Sequence, residues 1–203
     1  LAAFVQGEQL APIERIRGPY QHTVLGASLI SDEDVPESGS AALELPENSF
    51  GHRAWLSWMG TGLMPDRLAT FTLPNGVVYQ VYATDPEIEL DDNVETDGGV
   101  SDTDAGVDVI EGDNVIRSQT VDDPCLQVVV DLDDGSQAGY WSCQVDVTSV
   151  IQGLSELDGT YAVSDVDFDV SNPPYLSAEG SGDVIDNALT SMGAFSLMLI
   201  YSD

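Results

Sequence analysis

Lysine is absent from this chain. Its basic residues are five arginines, Arg15, Arg17, Arg53, Arg67 and Arg117. Without a lysine amine there is no Schiff base, no lysine general base and no lysine–asparagine crosslink. Positive charge of any kind is scarce: 36 acidic residues face those five, for a net charge of −31. Phosphate backbones are bound through cations, so nucleic acid is excluded as a partner. Anionic membrane surfaces are excluded on the same ground. Long apolar runs are missing too, and none reaches the roughly 18 residues of a spanning helix. The opening "LAAFVQGEQLAP" is neither a secretory hydrophobic region nor the long apolar helix of type IV pilins. With only His22, His52 and two cysteines on hand, a zinc set is poor. No repeat recurs at a fixed period, which argues against propellers and solenoids.

What is present suffices for a folded domain. Hydrophobic residues make up 42% of the 203, enough for a core despite the charge. The length suits one domain, or one with a small appendage. High salt screens such charge, and divalent cations held between carboxylates neutralise it. A salt-adapted or exported, extracellular protein fits both. Cys125 and Cys143 are then expected to form a disulfide. Its loop of about 18 residues would be worth roughly 3 kcal/mol on the chain-entropy model. The alternative is two buried thiols.

Alternation with period two dominates the chain, and the spacing predicts nine to eleven strands. Ala41 to Leu45 and residues 53–58, "RAWLSW", are early ones. Leu68 to Leu73 and Val77 to Ala83 flank Pro74-Asn75-Gly76, whose Asn-Gly supplies the positive φ of a tight hairpin. Strands follow at "NVIRSQTV", "CLQVVVDL", "YWSCQVDV", "TYAVSDVDFDV" and Ala194 to Tyr201, with a weaker one at Val107 to Ile110. Thr148 is expected to cap one short helix near 148–154. The expected fold is an all-β, antiparallel sandwich, jelly-roll-like. Residues 25–203 would form it, with an acidic loop at 85–114. Residues 1–24, broken by Pro12 and Pro19, would form an extended arm.

Asp102, Asp104 and Asp108 sit on a glycine-containing acidic stretch, and spaced carboxylates of this kind can hold Ca²⁺. EF-hand spacing fails there, because Gly106 and Val107 stand where an oxygen ligand and a glycine are needed. The competing reading is a solvated acidic loop, and "DLDDG" is a second place for the ion. Trp55, Trp58 and Trp141 could offer a glycan-binding face, although Trp55 and Trp58 lie on opposite sides of their strand and core packing is the simpler role. No carboxylate pair stands out for glycoside hydrolysis. No nucleophile elbow accompanies the two histidines. A secreted hydrolase is therefore the weakest reading and no enzyme is expected.

The arm carries the sharper hypothesis. Phe4, Val5, Ile13, Arg15, Ile16 and Arg17 could add a strand to a neighbouring copy, with the arginines meeting an acidic surface. In the terminal "SMGAFSLMLIYSD", Leu197, Leu199 and Tyr201 face one way and Met198 and Ile200 the other. A strand apolar on both sides needs cover and a paired edge. Its neighbour would be an earlier segment of the same chain or the arm of another.

Three segments carry a resemblance: "HRAWLSWMGTGLMPDRLATFTLPNGVVYQVYA", "YWSCQVDVTSVIQGLSELDGTYAVSDV" and "GAFSLMLIYSD". Ala54, Leu56 and Trp58; Asp146, Val147 and Thr148; Gly159, Tyr161 and Val163; and Phe195, Ser196, Leu197, Leu199 and Tyr201 fall on its motifs. They resemble a β-sandwich domain of large exported bacterial and archaeal surface proteins. The resemblance covers about half the chain and implies an exported surface or assembly role with no catalytic residues. Relatives of that type continue beyond the last tyrosine motif, whereas here two residues follow it, which leaves the last strand wanting a partner. The expected function is a subunit of a cell-surface assembly, a self-polymerising filament whose partners are head-to-tail copies of itself. A monomeric adhesin or carbohydrate-binding module is the rival.

A charge of −31 makes the compact state repel itself, and salt relieves that repulsion. The thermal unfolding midpoint is expected to rise between about 0.1 M and about 1 M NaCl. A midpoint that stays level or falls would show that the charge does not limit stability.

Overall fold

The computed structural model describes residues 16–30, 38–83, 114–117, 124–131, 135, 137–169 and 192–203. Their strands are β1 (Gln21–Ser28), β2 (Gly39–Leu43), β3 (Phe50–Thr61), β4 (Leu68–Thr72), β5 (Val78–Tyr82), β6 (Val115–Arg117), β7 (Cys125–Asp131), β8 (Gln137–Asp146), β9 (Gly159–Ser164) and β10 (Gly193–Ser202). One helix, α1, spans Thr148–Gln152. The strands form two five-stranded sheets, ordered β1-β10-β3-β8-β7 and β2-β9-β4-β5-β6. The chain is an all-β sandwich.

The core follows from the alternation. Leu25, Ala54, Leu56, Trp58, Val145, Phe195, Leu197 and Leu199 point inward from the first sheet. Leu43, Ala69, Phe71, Val81, Tyr161 and Val163 answer from the second. The Phe71 and Tyr161 rings stack across β4 and β9 with centroids 6.1 Å apart. Phe168 caps one end. Gly60 and Gly193 lie opposite each other in register, and a Cβ on either would strike Phe168. That pair of glycines forms the shelf on which the ring lies.

The β4–β5 hairpin forms where Asn-Gly predicts it. Gly76 has φ 80°, and Asn75 Oδ1 accepts the Val77 N–H at 3.0 Å. β9 ends sooner than its alternation suggests, because Asp165 turns left-handed at φ 56°, a conformation aspartate tolerates better than most residues. The second sheet is mixed: β5 and β6 run parallel. The long connection between them, 83 to 114, has the length a parallel crossover requires.

Two expectations change. Thr148 does not cap α1; the cap position is Val147, with no side-chain cap bond. Asp146 Oδ1 takes the Thr148 N–H at 2.8 Å, and Thr148 Oγ1 accepts the Ala54 N–H at 3.0 Å. The threonine therefore fastens the helix to β3. β1 crosses the boundary drawn at residue 24, so the sandwich begins by Gln21. The expected strand at 107–110 lies outside the described residues.

The Cys125–Cys143 disulfide is present. It joins residues directly opposite each other on β7 and β8. Cys143 is fully buried, whereas every residue of β7 after Cys125 is exposed. The bridge thus pins a poorly covered edge strand to its sheet. Replacing both cysteines by serine is expected to cost about 3 kcal/mol. Hydrogen exchange in residues 125–131 should rise first. Unaltered exchange there would contradict the pinning role.

Candidate functional site

Of the residues expected at a subunit contact, Phe4, Val5, Ile13 and Arg15 lie outside the described residues, as do Asp102, Asp104 and Asp108 of the expected Ca²⁺ site. Leu197, Leu199 and Tyr201 are 0%, 0% and 7% exposed and face the opposite sheet of their own chain. β10 has β1 on one side and β3 on the other. Its edges are met within the chain, so inward residues of β10 offer no surface for another subunit. What the strand presents outward is Met198 and Ile200.

Those two side chains meet the incoming arm. Ile16, Tyr20 and His22, at and before the start of β1, line an open pocket of about 260 Å³ together with Met198 and Ile200. A bulge sharpens the rim. On β3, Arg53 pairs with Ile200 and Gly51 with Tyr201, so His52 is the extra residue. Bulges re-aim side chains, and the His52 ring lies edge-on to Tyr20 at 4.7 Å and to Phe50 at 5.2 Å. Tyr20 and Phe50 are themselves exposed. The result is an apolar hollow with an aromatic rim, suited to an aliphatic or flat side chain. Arg17 is exposed beside it. Gln21 Nε2 donates to Asp203 Oδ1 at 3.2 Å, and Tyr201 Oη donates to Gln21 Oε1 at 3.1 Å. These bonds close the same end of the β1–β10 ladder.

The bulge also brings His52 Nε2 to 2.8 Å from Ser202 Oγ, a contact that sequence spacing could not show. Ser202 ends the regular strand β10 rather than standing on a strand-to-helix turn. Among the described residues no carboxylate orients His52. The tryptophans do not form one platform. Trp58 is buried, with Nε1 donating to the Asp66 carbonyl at 2.9 Å. Trp141 is buried as well, and its Nε1 has no partner. Only Trp55 looks outward, in a cross-strand row with Val24 and Met198.

The sheet faces share a property that dominates the surface. The ten strands carry two carboxylates, Asp131 and Asp146, each the last residue of its strand. The outer face of the first sheet shows Val24, Trp55, Met59, Leu126, Val128 and Met198. That of the second shows Ser40, Ala42, Thr72, Thr160 and Ala162. In a chain of 36 acidic residues both faces are close to neutral. Among the described residues no group of three or more histidine, cysteine or acidic side chains could hold a metal. No described helix is long and apolar enough to cross a membrane.

Among the described residues two groups have shifted pKa values, and both serve the fold. Burial pushes the Tyr161 phenol up to about 12, helped by the charge of Asp158, and its hydroxyl donates to the Leu157 carbonyl at 2.8 Å. Burial also raises Asp66, against the backbone hydrogen bonds that lower it. Its carboxylate accepts the N–H groups of Leu68 at 3.0 Å and Asp167 at 2.6 Å, tying the turn after β3 to the segment after β9. Comparison with protein-family models, curated proteins and solved structures finds no match for this chain.

Asp66→Ala strands two N–H groups and is expected to cost about 2 kcal/mol. A carboxyl whose folded pKa is raised stabilises most below its unfolded value of 3.8, and that part is lost as pH rises through the folded pKa. The cost of the substitution, measured by urea unfolding, should therefore be larger at pH 3.5 than at pH 7, both values chosen roughly to bracket the shift. A cost that grows with pH would contradict the assignment.

Proposed function

We propose that this chain is a structural subunit of an extracellular cell-surface assembly, a self-polymerising filament joined by strand addition between copies. One observation carries the reading: the described strands are almost free of carboxylates in a chain of net charge −31. Copies with that charge repel one another everywhere except where the surface is neutral. Sheet faces and sheet edges are those places. The apolar pocket of Ile16, Met198 and Ile200 lies where residues 16–20 lead into β1, and the exposed Arg17 brings a cation to the same end. Charge of this sign on a donor segment favours an acidic acceptor. The disulfide is consistent with an oxidising compartment. The resemblance to exported surface domains points the same way.

The aromatic rim of Tyr20, His52 and Phe50 favours a second reading, a monomeric adhesin that binds glycan on stacked rings. Negative-stain images at high protein and salt concentration separate the two. Fibres are expected from the full chain. Deleting residues 1–15, which leaves β1 intact, should abolish them while circular dichroism stays that of a folded β protein. A chain that stays monomeric at every concentration, with or without the deletion, would rule the filament out.

A further inference from the structure

β7 is the least covered strand of the sandwich. Leu126, Val128, Val129 and Val130 are 73%, 62%, 45% and 41% exposed. β8 lies on one side, and among the described residues no strand lies on the other. Edges of this kind are ordinarily blunted by a charge, a proline or a bulge. Between Cys125 and Val130 there is none of these, and the ladder to β8 is regular throughout.

The direction of its free backbone groups is fixed by the ladder. Gln144 donates its N–H to the Pro124 carbonyl at 2.9 Å, which makes that pair a hydrogen-bonded one. Antiparallel pairs alternate, so Cys125 and Cys143, with Cα atoms 4.0 Å apart, form a non-hydrogen-bonded pair. The same holds for Gln127 with Trp141, Val129 with Gly139 and Asp131 with Gln137. Gln127, Val129 and Asp131 therefore aim their N–H and C=O groups away from β8, at the open edge.

We propose that this edge pairs with β7 of a second copy, antiparallel, about a two-fold axis through Val128. The strand is self-complementary in that register. Gln127 meets the partner's Val129 and exchanges both backbone hydrogen bonds with it. Leu126 meets the partner's Val130 on the outer face, and Val128 meets the partner's Val128. Side chains of like face stay together, as an antiparallel pair requires. Charge selects the same arrangement. Asp131 is the strand's one charged residue, and the antiparallel register sets the two copies of it at opposite ends, roughly 20 Å apart at ~3.4 Å per residue. In-register parallel pairing would set them side by side. An isologous contact of this kind closes on itself as a dimer. It joins two sheets side to side, and it is separate from the arm-mediated contact proposed above, so either can fail without the other.

The test uses the full chain with its native disulfide, in about 1 M NaCl to screen repulsion. Val128→Cys should give a covalent dimer on mild oxidation, because facing residues on the axis come within disulfide reach. Val129→Cys should not, because it faces the partner's Gln127 and its own copy lies two residues further along the ladder. Val129→Pro removes an edge N–H without touching the bonds to β8, and sedimentation should show that it converts dimer to monomer. Circular dichroism confirms that each variant is folded. Absence of a Val128→Cys dimer, or equal linking by Val128→Cys and Val129→Cys, would overturn the register. A disulfide between Val128→Cys and Ile13→Cys chains in a mixture would place the N-terminal arm on this edge and overturn the proposal.

Discussion

Repulsion among 36 carboxylates is the constraint to which the rest of the molecule answers. A sheet that bore them would face a neighbouring charge at every cross-strand pair, where like charges are destabilising. The described strands carry few of them, Asp131 and Asp146 at strand ends. The two described sheets then close on an ordinary core of leucine, valine and aromatic residues. Asp66, the carboxylate whose pKa burial raises, is held by two backbone donors and serves as a tie.

That segregation has a consequence for association. Neutral sheet surfaces are where two such chains meet with least opposition, and that of the first sheet is also apolar. Val24, Trp55 and Met198 lie together on the first sheet, and β7 extends the same face with Leu126 and Val128. The disulfide keeps that exposed edge in place without burying it. Stability and presentation are thus divided between covalent pinning at Cys125 and packing everywhere else.

Features set by neighbours in sequence were legible from sequence. Alternation located the described strands other than β1, although it carried β9 past Ser164, and Asn75-Gly76 marked the hairpin because its geometry is a property of two residues. The division of β10 into two faces was equally plain, but not that Leu197, Leu199 and Tyr201 point into their own core. Which strand lies beside β10 was not, because pairing Gln21 with Tyr201 depends on closure across the whole chain. Thr148 misled for a related reason: the residue type suits a helix cap, but its hydroxyl is engaged by β3, a partner 94 residues away. His52 left no signal at all. Its role comes from a bulge, and a bulge is visible only once the register on both sides is known.

We propose that the carboxylate-free described strands are the contact surfaces of this chain. Hydrogen exchange, read peptide by peptide on dilute and on concentrated protein at high salt, tests it most directly. The account predicts slowing on concentration that is confined to strand edges and the residues leading into β1, with the acidic connections exchanging as before. Slowing centred on the acidic connections, with the strand edges unchanged, would contradict it.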